Sequence, residues 1–160
     1  MFSKYLTPYL LLNIILFVAF SLSVNTFIYL ENINIFFYIF FHLTFIYFLF
    51  YHFHFTIYFL GLTYGVLLDI FLMNSIGSHL ICLISLILFF VFIKKYLFQL
   101  SSYQISISIF LTLITIICLE IIFAYFLNNI YFTMSYLFKI LLISIIIFIP
   151  SIFILNKLDN

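Results

Sequence analysis

Nearly all of this chain falls into six apolar runs, each about as long as a lipid bilayer is thick, joined by a few polar residues at a time. A hydrocarbon core of about 30 Å takes roughly 20 residues of apolar helix to cross. In lipid every backbone N–H and C=O must be satisfied internally, so helices and closed barrels alone can span it. The runs extend from Pro8 to Tyr29, Ile35 to Tyr51, Phe55 to Met73, His79 to Ile93, Ile105 to Leu127 and Tyr136 to Leu155. Between them stand Glu31-Asn32-Ile33-Asn34, His52-Phe53-His54, Asn74-Ser75-Ile76-Gly77-Ser78, Lys94-Lys95 through Ser101-Ser102-Tyr103-Gln104, and Asn128-Asn129. No joint is long enough to hold a soluble domain. Residues 1–160 therefore read as a single polytopic membrane domain, an all-α bundle of about six transmembrane helices.

Composition agrees with that reading. The chain is 69% hydrophobic and 6% charged, with a mean hydropathy of +1.45, against about half apolar and a quarter charged in a globular domain. Such a chain has too little charge to cover a water-soluble surface. The net charge is +1 and arginine is absent, so the basic footprint of a nucleic-acid binder is missing. Cys82 and Cys118 lie inside apolar runs, where a thiol behaves as a small hydrophobe rather than as half of a disulfide. The bias toward Phe, Tyr, Ile, Asn and Lys, with no tryptophan, is that of an AT-rich coding sequence, so a solitary Tyr or His carries little functional weight.

The first run reads as a retained anchor. Ala19-Phe20-Ser21 offers small residues for a peptidase, but the run is longer than the apolar core of a secretory signal. Orientation follows from lysine placement, because cytoplasmic loops keep positive charge. In a six-span arrangement Lys4, Lys94, Lys95 and Lys157 share one side, while Glu31 lies opposite and Lys139 stands just inside the sixth span. Both termini are expected in the cytoplasm.

Ionisable groups inside a membrane are costly and mark the places to look for function. Asp69 in the third run, Glu120 in the fifth, Lys139 in the sixth and His42 in the second are the candidates. At about 1.5 Å per residue, Asp69 and Lys139 lie roughly 5 Å below the outer boundary and Glu120 roughly 10 Å below it. Two readings follow. In one, Lys139 bridges Asp69 or Glu120 in a charge cluster that binds three helices together. In the other, Asp69 and Lys139 snorkel to the interface and Glu120 alone is buried. His42 reads as a hydrogen-bonded packing residue. His52 and His54 are spaced for opposite faces of a helix and have no cysteine or carboxylate beside them, so no metal site is expected.

All three glycines fall between Gly61 and Leu80. Gly61, Gly65 and Asp69 recur every four residues and share one helical face, and small residues on such a face let another backbone approach closely in lipid. That face suits helix packing or a partner. Gly77 follows where the chain must turn into the next span. Packing explains the glycines but not why an aspartate ends their stripe.

The pattern Gly61-x-x-x-Gly65-x-x-x-Asp69-x-x-x-x-x-x-x-Gly77, followed by Leu80 and a span ending in Lys94-Lys95, resembles the rod shape-determining protein MreD family of bacteria. Length and span layout agree along the whole chain, and Glu120 looks like the acidic residue of the family's following helix. The sequence departs from the family in lacking a proline between Ile33 and Phe41, and in carrying Asn74 and His79 where small and apolar residues are common. The resemblance implies a non-enzymatic inner-membrane scaffold of the elongation machinery. Its partners would be an MreC-like bitopic protein and, indirectly, MreB filaments and the peptidoglycan glycosyltransferase and transpeptidase of the lateral wall. It also implies a fold related to the substrate-binding components of vitamin-uptake transporters. A membrane-embedded vitamin-binding component is accordingly the alternative function, with Asp69, Glu120 and Lys139 lining its pocket. The residues themselves show no nucleophile and base pair, no metal constellation and no phosphate-cradling loop, so neither an enzyme nor a cofactor is expected.

Overall fold

A computed structural model describes residues 3–24, 31–73, 77–97 and 99–159. Six α-helices account for most of them: α1 (Ser3–Val24), α2 (Glu31–Tyr51), α3 (Thr56–Leu68), α4 (Ser78–Leu97), α5 (Ser102–Asn128) and α6 (Met134–Asp159). A π-helical segment, Asp69–Met73, continues α3 directly. There is no strand among the described residues. The fold is all-α, as the sequence predicts.

Five helical stretches are long and apolar enough to cross a membrane: Asn32–Tyr51, Thr56–Met73, Ser78–Leu97, Ser102–Asn128 and Met134–Lys157. Within α1 the stretch Leu10–Val24 is apolar but shorter. The end of the first predicted span, residues 25–29, and the joint residues Asn74, Ser75 and Ile76 lie outside the described residues.

Large apolar side chains stand on the outside of these helices, among them Phe92 at 74%, Phe126 at 72% and Phe153 at 71% exposure. Water would not tolerate so much exposed apolar surface; acyl chains are its natural covering. Hydroxyls inside the helices are satisfied locally. Thr44, Thr115 and Ser144 donate to the carbonyls of Phe40, Leu111 and Ile140, each one turn back, which removes the cost of carrying an unpaired hydroxyl into lipid.

The chain forms two compact units, residues 1–52 with 135–160, and residues 53–134. In the first, α1 packs on α2, and Tyr47 of α2 donates its hydroxyl to the Asn156 side-chain oxygen of α6 at 3.1 Å. The side chains from Phe41 to Leu49 are all buried, as expected of a helix that is apolar all round. His42 is among them. Its Nδ1 lies 2.8 Å from the Tyr38 carbonyl oxygen, and because a carbonyl only accepts, the proton sits on Nδ1. The expected packing role is what this geometry supplies.

In the second unit α4 packs on both α3 and α5. Helix α5 begins with a capping box: the Gln104 N–H donates to the Ser101 hydroxyl and the Ser101 N–H to the Gln104 side chain. It ends on Asn129 in the left-handed conformation, φ 54°, a common helix terminator. Both cysteines are free thiols, Cys82 buried and Cys118 exposed.

Candidate functional site

The first N–H groups of a helix have no partner within it and must find acceptors elsewhere. Helix α4 opens on Gly77-Ser78-His79-Leu80, and Gly77 has no side chain to act as a cap. The acceptor comes instead from the end of α3. Asp69 Oδ2 accepts from the Gly77 N–H at 2.7 Å and the Leu80 N–H at 3.1 Å. Oδ1 accepts from the His79 N–H at 2.8 Å, the Ser78 hydroxyl at 3.1 Å and the His79 ring at 2.9 Å. A carboxylate oxygen that already takes two donors has no proton to offer, so His79 Nδ1 carries the hydrogen.

This arrangement answers the burial of a charge in an apolar span. Asp69 is 0% exposed and His79 1%. An isolated carboxylate there would be prohibitive. Three backbone N–H groups, a hydroxyl and an imidazole now surround it, and the positive end of the α4 dipole faces it. Asp69 belongs to α3's π-helical continuation. It bonds residues eight to eleven positions ahead, which no straight helix allows.

The glycines complete the corner. A Cβ on Gly65 would stand 2.8 Å from the Leu80 Cα, closer than two backbones with side chains can come, so the glycine is what lets α3 reach α4. Gly77 has φ +155°, a conformation that side chains disfavour. Its turn aims the N–H groups at Asp69. Ser78 also accepts from the Asn128 side-chain amide at 3.5 Å, which ties the end of α5 to the same point.

Gly65, Asp69 and Gly77 are therefore brought together with Ser78, His79, Leu80 and Asn128. Gly61 is buried on the same helix. Glu120, 2% exposed on α5, belongs to this second unit. Lys139 belongs to the first unit and is exposed. Full burial of Asp69 is not the geometry of a side chain that snorkels. Lys94 and Lys95 lie in the last turn of α4, favourable to its negative end, with the Lys94 ammonium 4.5 Å from the Phe53 ring centre. Lys157 is in the last turn of α6. The Lys4 side chain lies outside the described residues. Among the described residues no group of three or more His, Cys, Asp or Glu is placed to hold a metal.

The sequence reading missed His79 and Ser78. The signal was present as a polar Ser-His pair immediately after the turn glycine, at the first positions of an apolar helix, where N–H groups need an acceptor. No protein-family description, curated protein or solved structure matches the chain.

Proposed function

We propose that this chain is a non-enzymatic scaffold of the bacterial cell-elongation machinery, similar to MreD, held in the cytoplasmic membrane with both termini inside. The observation that supports this reading is the corner from Gly65 to Leu80. Four residues of the pattern that carries the resemblance, Gly65, Asp69, Gly77 and Leu80, have a structural task there. The polar groups are spent on holding helices together. Both Asp69 oxygens are filled and the Ser78 hydroxyl both donates and accepts, so none of these groups is poised to attack or deprotonate a substrate.

The lysines support the orientation: Lys94 and Lys95 end α4, Lys157 ends α6, and positive charge is retained on the cytoplasmic side. The partner proposed is an MreC-like bitopic protein, and through it MreB filaments and the wall-building glycosyltransferase and transpeptidase. With loops this short, contacts must be made chiefly by helix faces within the membrane.

The test is co-purification in mild detergent from the native membrane, combined with depletion. Recovery of an MreC-like protein and rounding of rod-shaped cells are expected. Failure of both, together with a vitamin retained by the purified protein and an associated ATP-binding module, would transfer the chain to the uptake-transporter reading.

A further inference from the structure

The second unit keeps its acids and its lysines apart. The carboxyl side chains are Asp69 and Glu120, and the lysines are Lys94 and Lys95. Asp69 caps the start of α4, whereas the lysines stand in its last turn, roughly 24 Å away at 1.5 Å per residue. Helix α5 runs back beside α4, its end tied to Ser78 through Asn128. Glu120 therefore lies roughly 12 Å from that end and about as far again from the lysines. The two ammonium groups rest on rings instead: Lys94 lies 4.5 Å from the Phe53 ring centre and Lys95 4.9 Å from that of Tyr96. A ring face carries no net charge, so each ammonium keeps its full unit and has N–H donors to spend. The negative end of α4 offsets about half a charge of the two. This end of the unit stays cationic.

Depth selects the anion. Helix α4 has 20 residues, and at about 30 Å it matches the hydrocarbon core. Lys94 and Lys95, just short of its end, stand at the edge of the hydrocarbon, the level of lipid phosphates. An acidic peptide in the water would have to descend to reach them. Large rings are also exposed at this end of the unit, Phe92 on α4 at 74% and Phe55 at the entry to α3 at 80%. Acyl chains cover such rings; an acidic peptide leaves them bare. Lys94 is held in place as well, because the Phe53 ring beneath it lies 5.2 Å from that of the buried Phe90. We propose that Lys94 and Lys95 bind the phosphate of an anionic phospholipid whose acyl chains run back along α4 past Phe92. Paired lysines at headgroup level are the chemistry that attracts such a lipid. Under the orientation proposed above the leaflet is the cytoplasmic one, but the site depends neither on that orientation nor on the scaffold role.

The full-length protein in mild detergent, where there is no leaflet, would be equilibrated with phosphatidylglycerol and examined by native mass spectrometry. At about fivefold for each lysine, phosphatidylcholine, which has the same tails but no net charge, should be retained about thirtyfold less. Lys95→Gln should lower retention of phosphatidylglycerol about fivefold, and Lys94→Gln with Lys95→Gln about thirtyfold, with thermal unfolding as the check on folding. Lys95 is exposed, so the single variant carries the test if the double one does not fold. Lys157→Gln removes an equally exposed charge from the other unit and should leave retention unchanged. Equal retention of the two lipids, or undiminished retention in Lys95→Gln, overturns the proposal. So does an equal loss in Lys157→Gln, since retention would then follow net charge. Displacement by glycerol phosphate alone would mean an anion site without a lipid, and a photocrosslinker at position 96 that captures protein in preference to lipid in native membranes would give the surface to an acidic partner; either result overturns it too.

Discussion

Asp69 in the second unit and Lys139 in the first are both charges set into apolar helices, and the protein accommodates them in opposite ways. Asp69 is sealed: it is 0% exposed and five donors from residues 77–80 surround its two oxygens. Lys139 is exposed at the polar end of an open groove. A carboxylate has a short stem and cannot reach the interface from within a span, so its counterparts must be built around it. A lysine has a long stem and can carry its charge to the boundary. The difference separates a group that holds the fold from one that faces the membrane.

The largest expected effect is at the sealed charge. Asp69→Ala leaves the N–H groups of Gly77, His79 and Leu80, the Ser78 hydroxyl and the His79 ring without their acceptor, and each buried donor left unsatisfied costs about 1–3 kcal/mol. The variant should fail to accumulate in membranes or should unfold at a much lower temperature in detergent. Asp69→Asn keeps one acceptor oxygen but turns an NH₂ toward donors, so it should be intermediate. If Asp69→Ala accumulates and unfolds like the native protein, the cap is not what holds this corner.

Next comes Gly65→Ala. The new methyl would stand 2.8 Å from the Leu80 Cα, and a backbone atom cannot rotate away as a side-chain end can. Overpacking of this kind costs about 1–3 kcal/mol. Protein abundance and partner co-purification should fall together, because the helix face is used internally. Normal abundance with lost co-purification would show that α3 presents this face to a partner. Gly77→Ala should cost less, about 1 kcal/mol from backbone strain at φ +155°. Its nearest neighbour would be the Leu127 Cδ1, at 3.2 Å, which can move. Its unfolding temperature should lie between those of Gly65→Ala and the native protein.

How much of this corner the sequence disclosed depends on distance along the chain. The apolar runs locate the helices because lipid imposes one length and one backbone solution on each of them. Residues four apart must share a helix face, so Gly61, Gly65 and Asp69 were legible as a stripe, and the turn at Gly77 followed from glycine alone. The partner of Asp69 was not legible. A bond from position 69 to positions 77–80 depends on how the end of α3 is set against the start of α4, and no local pattern around Asp69 announces it. His79 was noticed only as a departure from a resembling family, although its ring is one of the donors. The groove beside Lys139 was hidden for another reason. Asn32 and Lys139 are more than a hundred residues apart in sequence, and no periodicity links one helix face to another across such an interval.

The smallest effect tests the other half of the comparison. Lys139→Gln removes a charge from an exposed position on α6. Substitutions of that kind usually change stability by no more than about 0.5 kcal/mol. The variant should accumulate normally and unfold within a degree or two of the native protein, as expected when a change this small is spread over a domain of this size. A loss approaching that of Asp69→Ala would mean that Lys139, like Asp69, is a group that holds the fold. With Lys139 facing the membrane instead, its charge contributes to the orientation of α6 and not to the packing of the fold.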